Sequence, residues 1–226
     1  MSCAEPARPG PEQTEDITLT LPSPYLSPVR TLPPAMTTQR IGLFGGSFDP
    51  PHSGHLHVAK TAMKRLNLDW IYWLPASGNP LKSKPADFYD RLHAVRELVG
   101  NHPKMFVSDF EHWAGLRYTA DVVRAFTANC HGANFVWLMG ADSLQNFHDW
   151  KNWESVASML PLCIVSRPDA GPRALSSPFA RRYAHARLPE RDAALLPHTA
   201  PPAWVFLKAP FDATSSTQLR AHAQKG

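Results

Sequence analysis

From Arg40 onward the chain alternates between short apolar runs and stretches of helical spacing, an order that leaves few folds open. RIGLF (40–44), WIYWLP (70–75), KMFVSDF (104–110), NFVWLMG (134–140), LCIVS (162–166) and WVFLKA (204–209) read as strands. Between them, LHVAKTAMKRL (56–66) puts Leu56, Ala59, Ala62, Met63 and Leu66 on one helical face. DFYDRLHAVRELV (87–99) does the same with Phe88, Leu92, Val95, Leu98 and Val99, and TADVVRAFTANC (119–130) turns Val122, Val123 and Phe126 inward. Residues 143–160 read as helical and SSTQLRAHAQ (215–224) as a short last helix, whereas the Pro/Ala/Arg-rich stretch 168–203 shows no period. Right-handed strand–helix–strand crossovers turn this order into an α/β fold with a doubly wound, mainly parallel sheet and helices on both faces. Ligands of such sheets bind beyond the carboxyl ends of the strands.

The loop leaving the first strand, GGSFDPPHSGH (45–55), sits where a ligand is expected. Gly45 and Gly46 allow close backbone approach and φ values that other residues resist. The free N–H groups and dipole at the start of the following helix favour an anion. His52 and His55 stand one turn apart there, with Gly54 leaving room between them. The glycine order is neither G-x-G-x-x-G nor a P-loop, since no G-K-[ST] follows. His52, His55 and His57 have no nearby Cys, Asp or Glu to complete a helical metal-ligand set, so no protein metal site is expected. His57 reads as a surface residue and Asp49 as part of the turn.

Composition narrows the class. With 226 residues and 43% hydrophobic content, one substantial core is expected. The net charge of +4 suits a small anionic substrate, and the scattered basic residues form no block that would mark a nucleic-acid arm. Cys3, Cys130 and Cys163 lack CxxC spacing and read as reduced thiols of a cytoplasmic protein. No apolar stretch reaches the roughly 18–20 residues of a membrane span. The first 35 residues carry eight prolines and no amphipathic period. They predict a disordered leader (1–38) ahead of one domain (39–226), with Met36 as a second candidate start. Neither a secretory signal nor a transit peptide fits. Oligomeric state is not readable.

GGSFDPPHSGH resembles the signature of the H-x-G-H nucleotidyltransferase superfamily, with His52, Gly54 and His55 filling it. A second signature of that superfamily, S-[SA]-T-x-[IL]-R, is matched by SSTQLR (215–220), although Thr214 stands where an aliphatic residue commonly precedes it. SGNPLK (77–82), RYTADVV (117–123), MGADSL (139–144), DWKNW (149–153) and SRPDAG (166–171) are similar to segments of bacterial nicotinate-nucleotide adenylyltransferases. His52 and Arg220 differ from the pantetheine-phosphate branch. Class I aminoacyl-tRNA synthetases need a K-M-S-K-S segment that is missing here.

The resemblance implies a Rossmann-like fold and adenylyl transfer from ATP to nicotinate mononucleotide, with Mg²⁺ held mainly by substrate phosphates. It implies catalytic roles for His52, His55 and Arg220. ATP and its phosphates would meet Gly45, Gly46, Ser47, Phe48, Gly54, Gly140, Asp142, Ser215 and Thr217, with Asp142 on the ribose. The mononucleotide would meet Asn79, Lys82, Tyr118, Thr119 and Trp150. Simple helix capping remains open for Ser215, Thr217 and Asp142, and core packing for Trp150, while Trp153 reads as core. The same superfamily leaves open nicotinamide mononucleotide or phosphopantetheine as acceptor, or an inactive nucleotide-binding regulatory module.

Overall fold

Apolar side chains that alternate along each run are buried on both sides of one parallel sheet in the computed structural model, which describes residues 38–78, 86–130, 132–166 and 171–209. The elements run β1 (Arg40–Gly46), α1 (Ser53–Arg65), β2 (Trp70–Pro75), α2 (Phe88–Val99), β3 (Met105–Val107), α3 (Phe110–Trp113), α4 (Thr119–Asn129) and β4 (Asn134–Gly140). They continue with α5 (Ala141–Gln145), α6 (Trp153–Met159), β5 (Leu162–Val165), α7 (Gly171–Leu175), α8 (Pro178–Arg182), β6 (Arg187–Leu188) and β7 (Trp204–Leu207). The strand order is β3-β2-β1-β4-β5-β7-β6, with every pairing parallel. Chain progression reverses between β1 and β4, and the crevice at that switch point opens at their carboxyl ends.

Two cores flank the sheet, as a doubly wound Rossmann-like fold requires. Ile41 and Leu43 of β1 and Phe135, Trp137 and Met139 of β4 face one side, where Val122, Val123 and Phe126 of α4 and Phe179 of α8 pack. Phe44, Val136 and Leu138 face the other, against Val58, Ala59 and Ala62 of α1 and Val95 and Val99 of α2. At the opposite edge, the Asp69 carboxylate accepts the Arg40 backbone N–H and both arms of its guanidinium at 2.9–3.1 Å. That fork pins the start of β1 against β2.

Several elements depart from expectation for local reasons. The first helix begins at Ser53 instead of 56, because the histidine motif caps it. Val58 and Gly54 are buried on α1, whereas Leu56 and Met63 are half-buried. His57 is no surface residue: it is half-buried, and its Nε2 is enclosed without a hydrogen-bond partner among the described residues. β3 stops at Val107 because Ser108 Oγ accepts the Phe110 N–H at 3.2 Å and starts α3. Helical structure over 143–160 is broken by a 3₁₀ turn at Phe147–Asp149 and by left-handed Asn152 (φ 57°). The stretch without a period contains α7, α8, β6 and a 3₁₀ segment, Glu190–His198, tied to α1 by an Arg65–Glu190 ion pair at 3.0 Å. Cys130 and Cys163 are buried and not disulfide-bonded; burial pushes the Cys130 thiol up to about 11 and the Cys163 thiol further. Among the described residues no helix is long and apolar enough to cross a membrane. The leader up to residue 37, with Cys3, lies outside the described residues.

Candidate active site

The histidine motif is a helix cap built from imidazoles. His52 is the N-cap of α1 in extended conformation, and its Nδ1 accepts the Gly54 N–H at 3.1 Å. His55, three residues on, returns the favour: its Nδ1 accepts the His52 N–H at 3.2 Å. This is the reciprocal geometry of a capping box, with histidine in both places. A nitrogen that accepts carries no proton, so each neutral ring bears its hydrogen on Nε2. The rings lie 3.9 Å apart between centroids, and the edge of Phe48 braces His55 at 5.0 Å.

Phe48 explains part of the glycine pair. Its ring is buried against Phe44 and Trp73 at 5.3 Å each, so only its backbone can serve a ligand. A Cβ on Gly46 would come within 3.1 Å of that ring, and one on Gly45 within 2.3 Å of Trp137 Cη2. The expectation of unusual φ at these glycines fails: both continue β1, and the positive φ in the loop belongs to Phe48 (44°). Gly45 and Gly46 are small so that aromatic rings can lie against the backbone.

At the switch point, beyond the end of β1, lies a cavity of about 300 Å³ whose lining includes neither His52 nor His55, nor Phe48, Gly54, Gly140 or Asp142. Gly45, Gly46 and Ser47 form one wall and Ala76 and Gly78 a second; Tyr118 and Thr119, at the start of α4, close a third with Trp137 and Trp150. Trp150 is half-buried, edge-on to Phe147 at 5.2 Å and to Trp137 at 6.5 Å, so it both packs and lines the cavity. Trp153 packs against Phe147, Phe179 and Tyr183. Gly140 caps α5, which puts Asp142 at an exposed second helical position and removes the N-cap reading for it. Asn79, Lys82, Ser215, Thr217 and Arg220 lie outside the described residues.

Five charged residues here escaped the sequence reading, among them Asp149, which lines the cavity. Arg117 and Lys151 line the cavity, the latter with Nζ 4.4 Å above the Tyr118 ring. Glu111 lines it too and is 7% exposed; desolvation raises its carboxyl to about 7, against the opposing pull of the Ser77 N–H and Arg91. Arg91, 3% exposed, donates to the carbonyls of Ser47 (2.8 Å), Ala76 (2.9 Å) and Ala86 (3.0 Å). One signal was available: Arg91 stands three residues after Phe88, inside the apolar stripe of α2, where a charge needs a reason.

A parallel sheet whose switch point carries a histidine-capped helix and an indole-lined cavity with both acidic and basic side chains defines an α/β nucleotide-handling domain. The chain belongs to the cytidylyltransferase-like family, whose model matches residues 43–222. It is 47% identical over 182 residues to a probable nicotinate-nucleotide adenylyltransferase of Cereibacter sphaeroides, covering 80% of this chain and 96% of that one. A protein of the same name from Caulobacter sp. is 47% identical over 189 residues, covering 83% of this chain and all of the relative. The fold is shared with the solved Plasmodium falciparum nicotinic acid mononucleotide adenylyltransferase complexed with NaAD, at a TM-score of 0.59 and 18% identity. That match covers 81% of this chain and 83% of the other.

Proposed function

We propose that the protein transfers the adenylyl group of ATP to nicotinate mononucleotide, giving nicotinate adenine dinucleotide and pyrophosphate in NAD biosynthesis. The observation that supports this reading is that one loop, leaving β1, lines a cavity bearing Trp150, Arg117 and Lys151 with Gly45–Ser47 and then runs into the histidine-capped α1. The names of the relatives point the same way.

The acceptor's phosphate has a second pKa of about 6, so at neutral pH it is a dianion and needs no general base. One of its oxygens attacks the α-phosphorus of ATP, and the bond from that phosphorus to the β-phosphate oxygen breaks. The obstacle is bringing two anions together, which positioning and positive potential overcome. His55 Nε2–H donates to the α-phosphate and His52 Nε2–H to its neighbours, both aimed by the Nδ1 bonds on their other side. The Gly46–Phe48 backbone cradles phosphate, with Gly45 and Gly54 keeping the approach open. Gly140 lets Asp142 reach the ribose. Ser215, Thr217 and Arg220 receive the leaving pyrophosphate. Trp150 stacks on the pyridine ring, Tyr118 and Thr119 offer the α4 amides to the nicotinate carboxylate, and Asn79 and Lys82 reach the mononucleotide phosphate. ATP arrives as its Mg²⁺ complex, with the ion held mainly by substrate phosphates. Residues 39–226 act as one domain, and the buried thiols of Cys130 and Cys163 suit a cytoplasmic enzyme.

Incubation with ATP, Mg²⁺ and nicotinate mononucleotide should release pyrophosphate and form the dinucleotide. Comparing kcat/KM for the acid and amide mononucleotides tests the acceptor, with the acid preferred. Absence of pyrophosphate with every acceptor would leave only a binding module.

A further inference from the structure

Two buried charges behind the cavity connect its walls. The loop after β1 and the loop after β2 meet where the Ala76 N–H donates to the Gly46 carbonyl at 2.9 Å. Arg91, from α2, spans the same junction: one guanidinium nitrogen donates to Ser47 O at 2.8 Å and to Ala76 O at 2.9 Å. Glu111, from α3, accepts the next amide, Ser77 N–H, at 2.9 Å. Helices α2 and α3 are themselves clamped, for Phe88 stacks on His112 at 4.1 Å and 10°, and the Arg91 guanidinium lies 5.6 Å from the Phe88 ring. Both charges are nearly closed to water, a costly arrangement for any side chain that only filled space.

We propose that Arg91 and Glu111 are positioning residues that lock the β1 and β2 loops into one rigid surface, so that the phosphate cradle at Gly46–Ser47 and the mononucleotide wall at Ala76–Gly78 are set together. The inference rests on the adenylyltransferase reading for what binds on each wall, not for the lock itself. Charged side chains that bond to the backbone of both loops act as a lock, and the half-buried Ser77 amide, if unmet, would turn outward to find water. Turning that peptide moves Ala76 and Gly78, and through the Ala76–Gly46 bond it moves the opposite wall. The charges around the pair are balanced: Asp49 and Asp87 act on Arg91, while Arg117, Lys151 and Asp149 share the cavity with Glu111.

The test compares E111A, E111Q and R91K with the wild type. In E111A, KM for MgATP and KM for nicotinate mononucleotide should both rise about tenfold, with a smaller change in kcat per active site. E111Q keeps an acceptor for Ser77 N–H and should stay within about threefold of wild type for both substrates. R91K keeps the charge but loses the fork, and should raise both KM values. A lower active fraction with both KM values unchanged, or a KM change for one substrate alone, overturns the proposal. Hydrogen exchange without substrate provides the separate arm: in E111A, amides of residues 46–48 and 76–78 should exchange faster together. If the wild type forms no dinucleotide yet this joint acceleration occurs, the function reading falls and the lock stands; if dinucleotide forms and exchange at 46–48 is unmoved, the reverse holds.

Discussion

At His52 one imidazole caps a helix and, in the proposed reaction, also serves the site, and the two duties can be separated. Its Nδ1 fills the role of a capping oxygen for Gly54, while the proposed reaction uses Nε2 as a phosphate donor. Asparagine also caps helices well, and its carbonyl can take over the Nδ1 role. H52N should therefore melt close to wild type while turnover falls, whereas H52A should lose about 1 kcal/mol of stability as well. A thermal melt beside a pyrophosphate assay separates the cases, and equal stability of H52N and H52A would refute the cap. His55, at the third helical position, has the larger chemical role in the proposed reaction. H55A should cost on the order of 10²–10³ in kcat, as loss of one preorganised donor does, and near-normal turnover would remove it from catalysis. Gly45 is tested by addition instead of removal. A methyl there meets the Trp137 ring at 2.3 Å, so G45A should destabilise the fold by about 1–3 kcal/mol and shift the indole that lines the cavity. Urea unfolding measures the first effect and KM for the mononucleotide the second.

The elements that were legible are those whose own length carries a period. α2 and α4 were read to within a residue because Phe88, Leu92, Val95 and Val99, and Val122, Val123 and Phe126, repeat with the helix. The entry of α1 was legible at His52 and His55, but the apolar stripe begins only at Leu56, and histidine is not an ordinary capping residue, so the cap itself was not. α3 is four residues long, too short for any period, and so Glu111 had no face to be assigned to. Its consequence is a pH dependence that belongs to the α3–β2 junction. Burial raises this carboxyl from about 4.5 to about 7, so the folded chain keeps the proton after the unfolded chain has lost it. The native state then binds more protons across that window, and stability falls as pH rises through it. The stabilisation is complete below about 4.5 and gone once pH passes about 7, a difference of about 3 kcal/mol. E111Q has no such proton. Urea titrations at pH 5 and pH 8 should show the wild type losing stability relative to E111Q as pH rises, and a parallel response in the two proteins would place the carboxyl in water.

For the whole molecule, the alternation of strands and helices was enough to give a parallel sheet with two cores, since each buried strand side needs a helix to cover it. It could not give the strand order β5-β7-β6, because the link between β5 and β7 is made of short helices and 3₁₀ turns without a repeating face. Half of the site was readable for a related reason: residues 45–55 are contiguous, while Arg91, Glu111, Arg117 and Lys151 converge only when three crossovers have folded. The SSTQLR segment sets the remaining question at this scale, since the proposed chemistry places its cationic and hydroxyl groups on the leaving pyrophosphate. Among the described residues all seven strands end by Leu207, and both cores are built from residues up to Ala209. Removing 210–226 should therefore leave a folded protein with a cooperative melt that still binds nicotinate mononucleotide. Its adenylyl transfer should fall at least as far as loss of one preorganised phosphate donor allows, on the order of 10²-fold. R220A in the full chain should reproduce most of that loss, and R220K should recover only part of it, because an ammonium cannot fork onto two phosphate oxygens. If the shortened chain turns over at the wild-type rate, the leaving group is held elsewhere, and the second signature has no part in the reaction.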